Sequence, residues 1–65
     1  MKNKIREFRK KLGVRQEDIA KAVGVTRQTI NAIENQKYNP TLELAMRLAK
    51  LLNTKVEELF ILDDL

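Results

Sequence analysis

Apolar residues recur at every third or fourth position along most of the chain, which is the spacing of one buried face of an α-helix. The pattern predicts helices over about residues 3–12, 16–23, 27–35 and 42–52, and a short fifth helix that ends near Leu59. Gly13 and Gly24 follow the first two segments, and Pro40 precedes the fourth. Glycine often ends a helix, and proline cannot continue one. We therefore expect an all-α fold, a compact five-helix bundle in a single domain over residues 1–65, with a short C-terminal tail that is free to be extended.

Threonines stand where the later helices are expected to begin. Thr26 precedes the third helix and Thr41 the fourth, and a threonine hydroxyl at this position accepts a backbone N–H. Thr54 and Glu57 fit a capping box for the fifth helix. The inward apolar positions form the expected core: Ile5, Phe8, Leu12, Ile19, Ala20, Val23, Val25, Ile30, Ile33, Leu44, Leu48, Leu51, Leu52, Val56, Leu59 and Phe60, the last three of which close it.

The stretch 16–35 predicts two short helices that meet at a tight corner. Ala20 is small enough to let the two helices approach, and Gly24 allows a sharp turn. A short turn with glycine between two helices is typical of a helix-turn-helix. At about 100° per residue, Ile30 and Ile33 mark the buried side of the second helix of this pair. Its outward side carries Gln28, Asn31, Ala32 and Asn35, with Arg27 on a flank.

This outward face is rich in amide side chains, which suit the edges of DNA bases. The N-terminal part of such a helix enters the major groove. There, glutamine and asparagine can donate and accept together to adenine, arginine can bind guanine, and a small residue such as Ala32 can meet a thymine methyl group. The alternative is a solvated helix face with no partner.

The charge of the chain favours the first interpretation. The net charge is +4, but residues 1–37 hold 10 basic and 4 acidic side chains, whereas residues 38–65 hold 3 and 5. The basic half contains the predicted corner, and a one-sided basic surface is what attraction to phosphates requires. A solvated basic surface without an acidic partner is the alternative for charge alone.

Several functional classes are disfavoured by what the sequence lacks. There is no histidine and no cysteine, so disulfides, thiolate metal sites and the commonest general base are absent. A bundle of 65 residues also has little room for a closed pocket. We expect no enzyme activity, no metal or cofactor, and no small-molecule effector. The N-terminus has no signal-peptide pattern and no segment is long and apolar enough to span a membrane, so we expect a cytoplasmic protein.

Four short motifs resemble the Xre/Cro family of prokaryotic and phage transcription regulators. They are GVRQEDIA at 13–20, GVTRQTI at 24–30, IEN at 33–35 and YNPTL at 38–42. The resemblance covers nearly the whole chain, and the motifs occur in the order and spacing of the family. Its short single-domain members have five helices, which is the number that the apolar pattern predicts here.

The resemblance implies roles for residues at matching positions. Arg27, Gln28, Asn31 and Ala32 would read bases. The residues implied or suited to hold DNA phosphates are Arg15, Gln16, Thr26, Asn35, Lys37, Asn39 and Thr41. Glu34 would pair with Arg9 of the first helix and fix the reading helix in place, which is a structural role.

The chain departs from the family pattern at two positions. Arg15 stands where relatives usually carry a helix-capping Ser, Thr or Asn, and arginine cannot accept a backbone N–H. Its guanidinium is free to reach a phosphate instead. Gln36 stands where glycine is usual after the third helix. If positive φ is kept there, the glutamine carries strain of about 1 kcal/mol.

The C-terminal tail is more apolar than one small core requires. Helix-turn-helix proteins commonly bind as two-fold dimers on half-sites roughly 34 Å apart, so we expect a homodimer whose interface includes Phe60, Ile61, Leu62 and Leu65. The alternative is that Ile61, Leu62 and Leu65 pack on the first helix of their own chain. Similar family members suggest that an extended tail pairs with residues 1–3.

These observations predict a sequence-specific regulator that binds double-stranded DNA, most simply a homodimeric repressor on an inverted repeat. The alternative is an antitoxin-like or adaptor module whose main partner is another protein, held by the apolar tail. A small helical enzyme is the third possibility, and the missing histidine and cysteine argue against it.

Overall fold

The computed structural model describes residues 1–62, which form five helices and two short strands. In chain order these are β1 (Lys2–Asn3), α1 (Ile5–Leu12), α2 (Gln16–Val23), α3 (Arg27–Glu34), α4 (Leu42–Leu51), α5 (Val56–Leu59) and β2 (Phe60–Ile61). The predicted five-helix bundle is confirmed, and a small sheet is added to it. None of the helices in this part of the chain has the length and apolar character needed to cross a membrane.

Each of the first four helices is followed, one or two residues after its end, by a residue in the left-handed conformation. These residues are Gly13, Gly24, Gln36 and Asn53, with φ of 70°, 78°, 62° and 57°. The next residue then donates its N–H to the carbonyl five positions back, as Lys37 does to Ala32 at 2.9 Å. This Schellman-type ending satisfies carbonyl groups that the helix leaves free. Gln36 thus keeps the positive φ of this position, which is the case in which the sequence predicts strain.

The strain at Gln36 predicts a gain in stability on substitution. Gln36→Gly should raise the free energy of unfolding by about 0.5–1 kcal/mol, because glycine lacks the Cβ that makes positive φ unfavourable. Urea denaturation monitored by circular dichroism would measure it. Gln36→Ala is the matched control, since it removes the same amide but keeps the Cβ. An equal gain from alanine would contradict a backbone origin.

Helices α3 and α4 begin with the threonine caps that the sequence predicts, whereas α2 begins without a side-chain cap. Thr26 Oγ1 accepts the N–H of Thr29, and Thr41 Oγ1 accepts that of Leu44, both at 3.2 Å. Arg15 supplies no side-chain cap to α2, but the carboxylate of Asp18 accepts the Arg15 N–H at 3.0 Å. This acidic residue in the first turn stabilises a helix start that lacks the usual hydroxyl or amide.

The capping box predicted for the fifth helix is wrong. The residue before α5 is Lys55, without a side-chain cap, and the hydroxyl of Thr54 donates to the Glu58 carboxylate at 3.2 Å. The reason lies in the preceding turn. The left-handed Asn53 and the bond from Thr54 N–H to the Ala49 carbonyl complete the end of α4, so the new helix starts one residue later than the sequence pattern suggests.

The core is a single cluster to which every helix contributes. Its buried members are Ile5, Ile19, Ala20, Val23, Ile30, Ile33, Leu44, Ala45, Leu48, Ala49, Leu52, Leu59 and Phe60, with Phe8, Val14, Val25 and Val56 packed against them. Two predictions were wrong. Leu12 is 52% exposed and Leu51 is 42% exposed, because they lie at helix ends, where both border a shallow groove at the edge of the core.

The N-terminal segment and the tail form an antiparallel pair. Lys2 lies opposite Ile61, and Asn3 opposite Phe60. The first helix therefore begins at Ile5 and not at residue 3 as predicted, because residues 2–3 are extended and the Asn3 side chain accepts the Ile5 N–H at 3.3 Å. The pairing of tail and N-terminus suggested by similar proteins is confirmed, which closes the bundle at one end.

Candidate nucleic-acid interface

The corner between α2 and α3 has the expected form. Ala20 is buried between the helices, and its carbonyl accepts the Val25 N–H at 2.9 Å across the turn. Gly24 takes φ of 78°, and Val25 packs on the core. Thr26 then starts α3 immediately. These contacts hold α3 firmly against α2 and leave its opposite side in solvent.

The exposed side of α3 carries the predicted base readers. Arg27, Gln28 and Asn31 are exposed, and Ala32 is half-buried beside them. Within residues 1–62, the side chains of Arg27 and Gln28 make no hydrogen bond or ion pair. Both are therefore available to a ligand. Asn31 differs, because its oxygen is already bonded within the protein.

A buried carboxylate lies behind this face. The Glu34 side chain is 0% exposed, and Arg9 donates to both of its oxygens, at 2.9 and 3.3 Å. Arg6 donates to it at 3.3 Å and Gln16 at 3.2 Å. The ion pair expected between Arg9 and Glu34 is thus present, and it is part of a larger network that joins α1, α2 and α3. A planar guanidinium that binds a carboxylate in this bidentate way fixes both position and orientation.

The side chains of Gln16 and Asn35, for which the family resemblance implies phosphate binding, form hydrogen bonds within the protein. The Gln16 amide nitrogen donates to Glu34 and to Asn31 Oδ1, at 3.2 and 3.1 Å. The Asn35 amide nitrogen donates to the carbonyl and to the side-chain oxygen of Asn31, at 2.9 and 3.2 Å. Each amide has only two N–H donors, so the donors of both side chains are already used within the protein.

Cationic side chains lie at both ends of α3. Arg15 is highly exposed and only 3.7 Å from Glu17 in a weak surface pair. Arg15 and Arg27 line the same polar concavity beside the start of α2. At the other end, Lys37 is exposed and makes no side-chain bond within the described residues. A duplex on the exposed side of α3 would therefore meet positive charge on both flanks.

Sequence reasoning missed Arg6 as a member of this surface. Its side chain is half-exposed, 3.3 Å from Glu34, and its second nitrogen lies 3.5 Å from Asn35 Oδ1. The signal was present, because residues 6 and 9 are three apart and share one side of α1. The spacing of apolar residues identifies the buried side of α1 and does not by itself identify its basic side.

The other implied phosphate ligands are placed at exposed positions. Thr26 and Thr41 are exposed, although each hydroxyl also caps its own helix. Asn39 is exposed in the loop between α3 and α4. The structure places Asn35, Lys37 and Asn39 in the one segment that follows α3.

The structure changes the expected set of interface residues in the tail. Phe60 is only 8% exposed, as expected for a residue that closes the core of its own chain, so it offers little surface to a dimer interface. Ile61 is half-buried, and Leu65 lies outside the described residues. Leu62 is 65% exposed, which contradicts the alternative that it packs on the first helix.

An exposed apolar surface extends from the tail across α4. It consists of Met1, Leu42, Met46, Ile61 and Leu62, and we call it the α4–tail patch. Leu42 is 73% exposed and Met46 is 57% exposed. Leu42 lies in both of the grooves that make up this surface, which joins them into one. Contiguous exposed apolar surface on a small domain typically marks an interaction site.

Comparison with known proteins finds a matching family model, similar sequences and a similar solved structure. A family model described as helix-turn-helix matches residues 5–59. An uncharacterized HTH-type transcriptional regulator of Archaeoglobus fulgidus is 53% identical over 98% of this chain and 91% of its own. The regulator YgzD of Bacillus subtilis is 45% identical over 98% and 97%. The crystal structure of the restriction-modification controller protein C.AhdI from Aeromonas hydrophila superposes with a TM-score of 0.80, at 32% identity, over 88% of this chain and 86% of its own.

Proposed function

The chain belongs to the helix-turn-helix family of transcriptional regulators, and from this premise we propose that it is a sequence-specific repressor that binds double-stranded DNA as a homodimer. Its operator would be an inverted repeat, with α3 of each copy in the major groove of one half-site. Binding near a promoter would exclude the polymerase. No small-molecule effector is part of this proposal.

The observation that carries the proposal is the exposed side of α3. Arg27 and Gln28 are exposed in its first turn and make no side-chain bond within residues 1–62. The N-terminal part of the second helix is the part that reaches base edges in this docking mode. Arginine suits guanine, and glutamine suits adenine. These two side chains are our main candidates for base readout, together with Asn31 and Ala32.

Phosphate binding is assigned to the cations that flank α3. Arg15 lies at one end, and Lys37 lies at the other with Asn39 nearby. The first backbone N–H groups of α2 and α4, at Gln16 and after Thr41, have no acceptor within their helices and would assist. Contacts of this kind fix the register of the protein on DNA and carry no sequence information themselves.

The α4–tail patch is the proposed dimer surface. Its centre is apolar, and charged residues border it along α4. Glu43 lies near the start of α4, whereas Arg47 and Lys50 lie toward its end. A two-fold axis across the helix would place a second α4 antiparallel, so that the acidic end of each faces the basic end of the other. Ile61 and Leu62 would extend the apolar contact.

A pair of substitutions tests the roles assigned to Gln28 and Lys37. Gln28→Ala should reduce discrimination at one base pair by about 1–3 kcal/mol and change non-specific binding little. Lys37→Ala should weaken binding to all sequences alike and reduce the salt slope by about one. Fluorescence anisotropy with specific and scrambled duplexes, at several salt concentrations, would measure both.

Lys55→Ala is the matched control for charge. It removes one cation from the loop before α5, remote in sequence from the corner, and should have a smaller effect than Lys37→Ala. If Gln28→Ala and Lys37→Ala have the same effect on specific and scrambled duplexes, the division between base and phosphate contacts is wrong.

A further inference from the structure

The orientation of the Asn31 amide is set by the groups around it. Glu34 is a carboxylate, which the described residues approach only with donors. The neighbouring Gln16 must therefore turn its nitrogen toward it, because the amide oxygen would face another oxygen if the group were reversed. The second N–H of Gln16 then donates to Asn31 Oδ1 at 3.1 Å. The buried acid fixes Gln16, and Gln16 fixes the oxygen end of Asn31.

Asn35 acts on the same oxygen from the other side. The main-chain carbonyl of Asn31 can only accept, and it binds the Asn35 amide nitrogen at 2.9 Å. That nitrogen also lies 3.2 Å from Asn31 Oδ1. Arg6 lies 3.5 Å from Asn35 Oδ1 and can only donate, which agrees with this orientation. Two donors that are each held independently therefore converge on Asn31 Oδ1.

We propose that this network makes Asn31 a donor-only reader that favours guanine over adenine. An amide oxygen has two lone pairs, and Gln16 and Asn35 use both. What remains for DNA is the Asn31 NH2 group, which no residue in 1–62 accepts. Guanine presents two acceptors, N7 and O6, in the major groove, whereas adenine presents one acceptor and one donor. An asparagine without a free acceptor cannot complete the usual pair with adenine.

This inference rests on the proposed function and makes it more specific. Gln28 is exposed and unbonded within the described residues, so it keeps both its donor and its acceptor. Asn31, one turn further along α3, keeps only its donors. Two amides on one face would therefore read different bases, and Gln16 is a positioning residue for the second of them.

The test begins with duplexes selected from a random pool by the wild-type protein. The base pair read by Asn31 is defined as the one whose preference disappears in Asn31→Ala. We expect guanine there, and we expect 7-deazaguanine at that position to lower affinity by about 5-fold or more, which is the lower limit for one good base contact. Adenine at that position, with loss of affinity when its N6 amino group is removed, would overturn the inference and leave the proposed function intact.

The positioning role of Gln16 has its own readout. Gln16→Met keeps the length of the side chain and removes the donors, so one lone pair of Asn31 Oδ1 becomes available to DNA while the bond from Asn35 remains. We expect this variant to accept adenine at the Asn31 base pair with affinity closer to that for guanine, while preferences at other base pairs stay unchanged. Gln28→Met is the control and should not change the Asn31 base pair. An unchanged preference in a folded Gln16→Met variant would overturn the positioning role of Gln16. Failure to select any motif would overturn the proposed function as well.

Discussion

Glu34→Ala is expected to lower the free energy of unfolding by about 3–5 kcal/mol, the range measured when one partner of a buried ion pair is removed. The Glu34 side chain is 0% exposed and accepts hydrogen bonds from Arg6, Arg9 and Gln16. Alanine would leave the Arg9 guanidinium, itself only 16% exposed, without its counterion. A domain of this size has total stability of similar magnitude, so much of the protein would be unfolded.

Glu43→Ala is the matched control. Glu43 also pairs with an arginine, at 2.7 Å to Arg47, but both side chains are more than half exposed. Exposed pairs four residues apart on a helix contribute about 0.3–0.5 kcal/mol. Thermal and urea denaturation of the two variants should therefore differ widely. A loss below about 1 kcal/mol for Glu34→Ala would mean that the network contributes little beyond an ordinary surface pair.

Leu42→Asp combined with Leu62→Asp is expected to convert the proposed dimer into monomers. Each aspartate would bring an uncompensated charge into the apolar centre of the α4–tail patch. A monomer contacts one half-site only, and loss of the second contact should weaken operator binding by about 10²- to 10⁴-fold. Sedimentation over a range of concentrations would give the oligomeric state, and anisotropy would give the affinity.

Leu12→Asp is the control for this pair. Leu12 is also a half-exposed leucine, at 52%, but it lies at the end of α1, outside the patch. We expect this variant to remain dimeric. A dimer that persists in the double variant would remove the patch from the account. A wild-type protein that is monomeric even on DNA would instead favour the alternative of an adaptor whose partner is a different protein.

The helices and the corner were predictable because their signals are local. Spacing of apolar residues, threonine caps and glycine turns each act over a few residues, and Thr26, Gly24 and Ile30 are placed as the pattern predicts. The sheet was harder, because Lys2 and Ile61 are neighbours only through the closed fold. The sequence pattern alone extended the first helix over residues that pair with the tail.

The sequence predicts which residues form the candidate site, but it does not predict the hydrogen bonds between them. The outward positions of α3 follow from helix geometry, so Arg27, Gln28 and Asn31 could be named. The bonds from Gln16 to Glu34 and Asn31 cross between two helices, and their existence depends on side-chain conformations that no spacing reveals. The α4–tail patch could not be predicted either, because the exposure of Leu42 and Met46 depends on how the helices pack.

Selection of bound DNA from a random duplex pool, at about physiological salt, tests the central claim most directly. Non-specific attraction to phosphates is already weakened under these conditions. We expect an inverted repeat whose half-site centres are about 10 base pairs apart, one turn of the duplex. Recovery of no motif, with binding that depends on salt alone, would contradict sequence-specific recognition by α3.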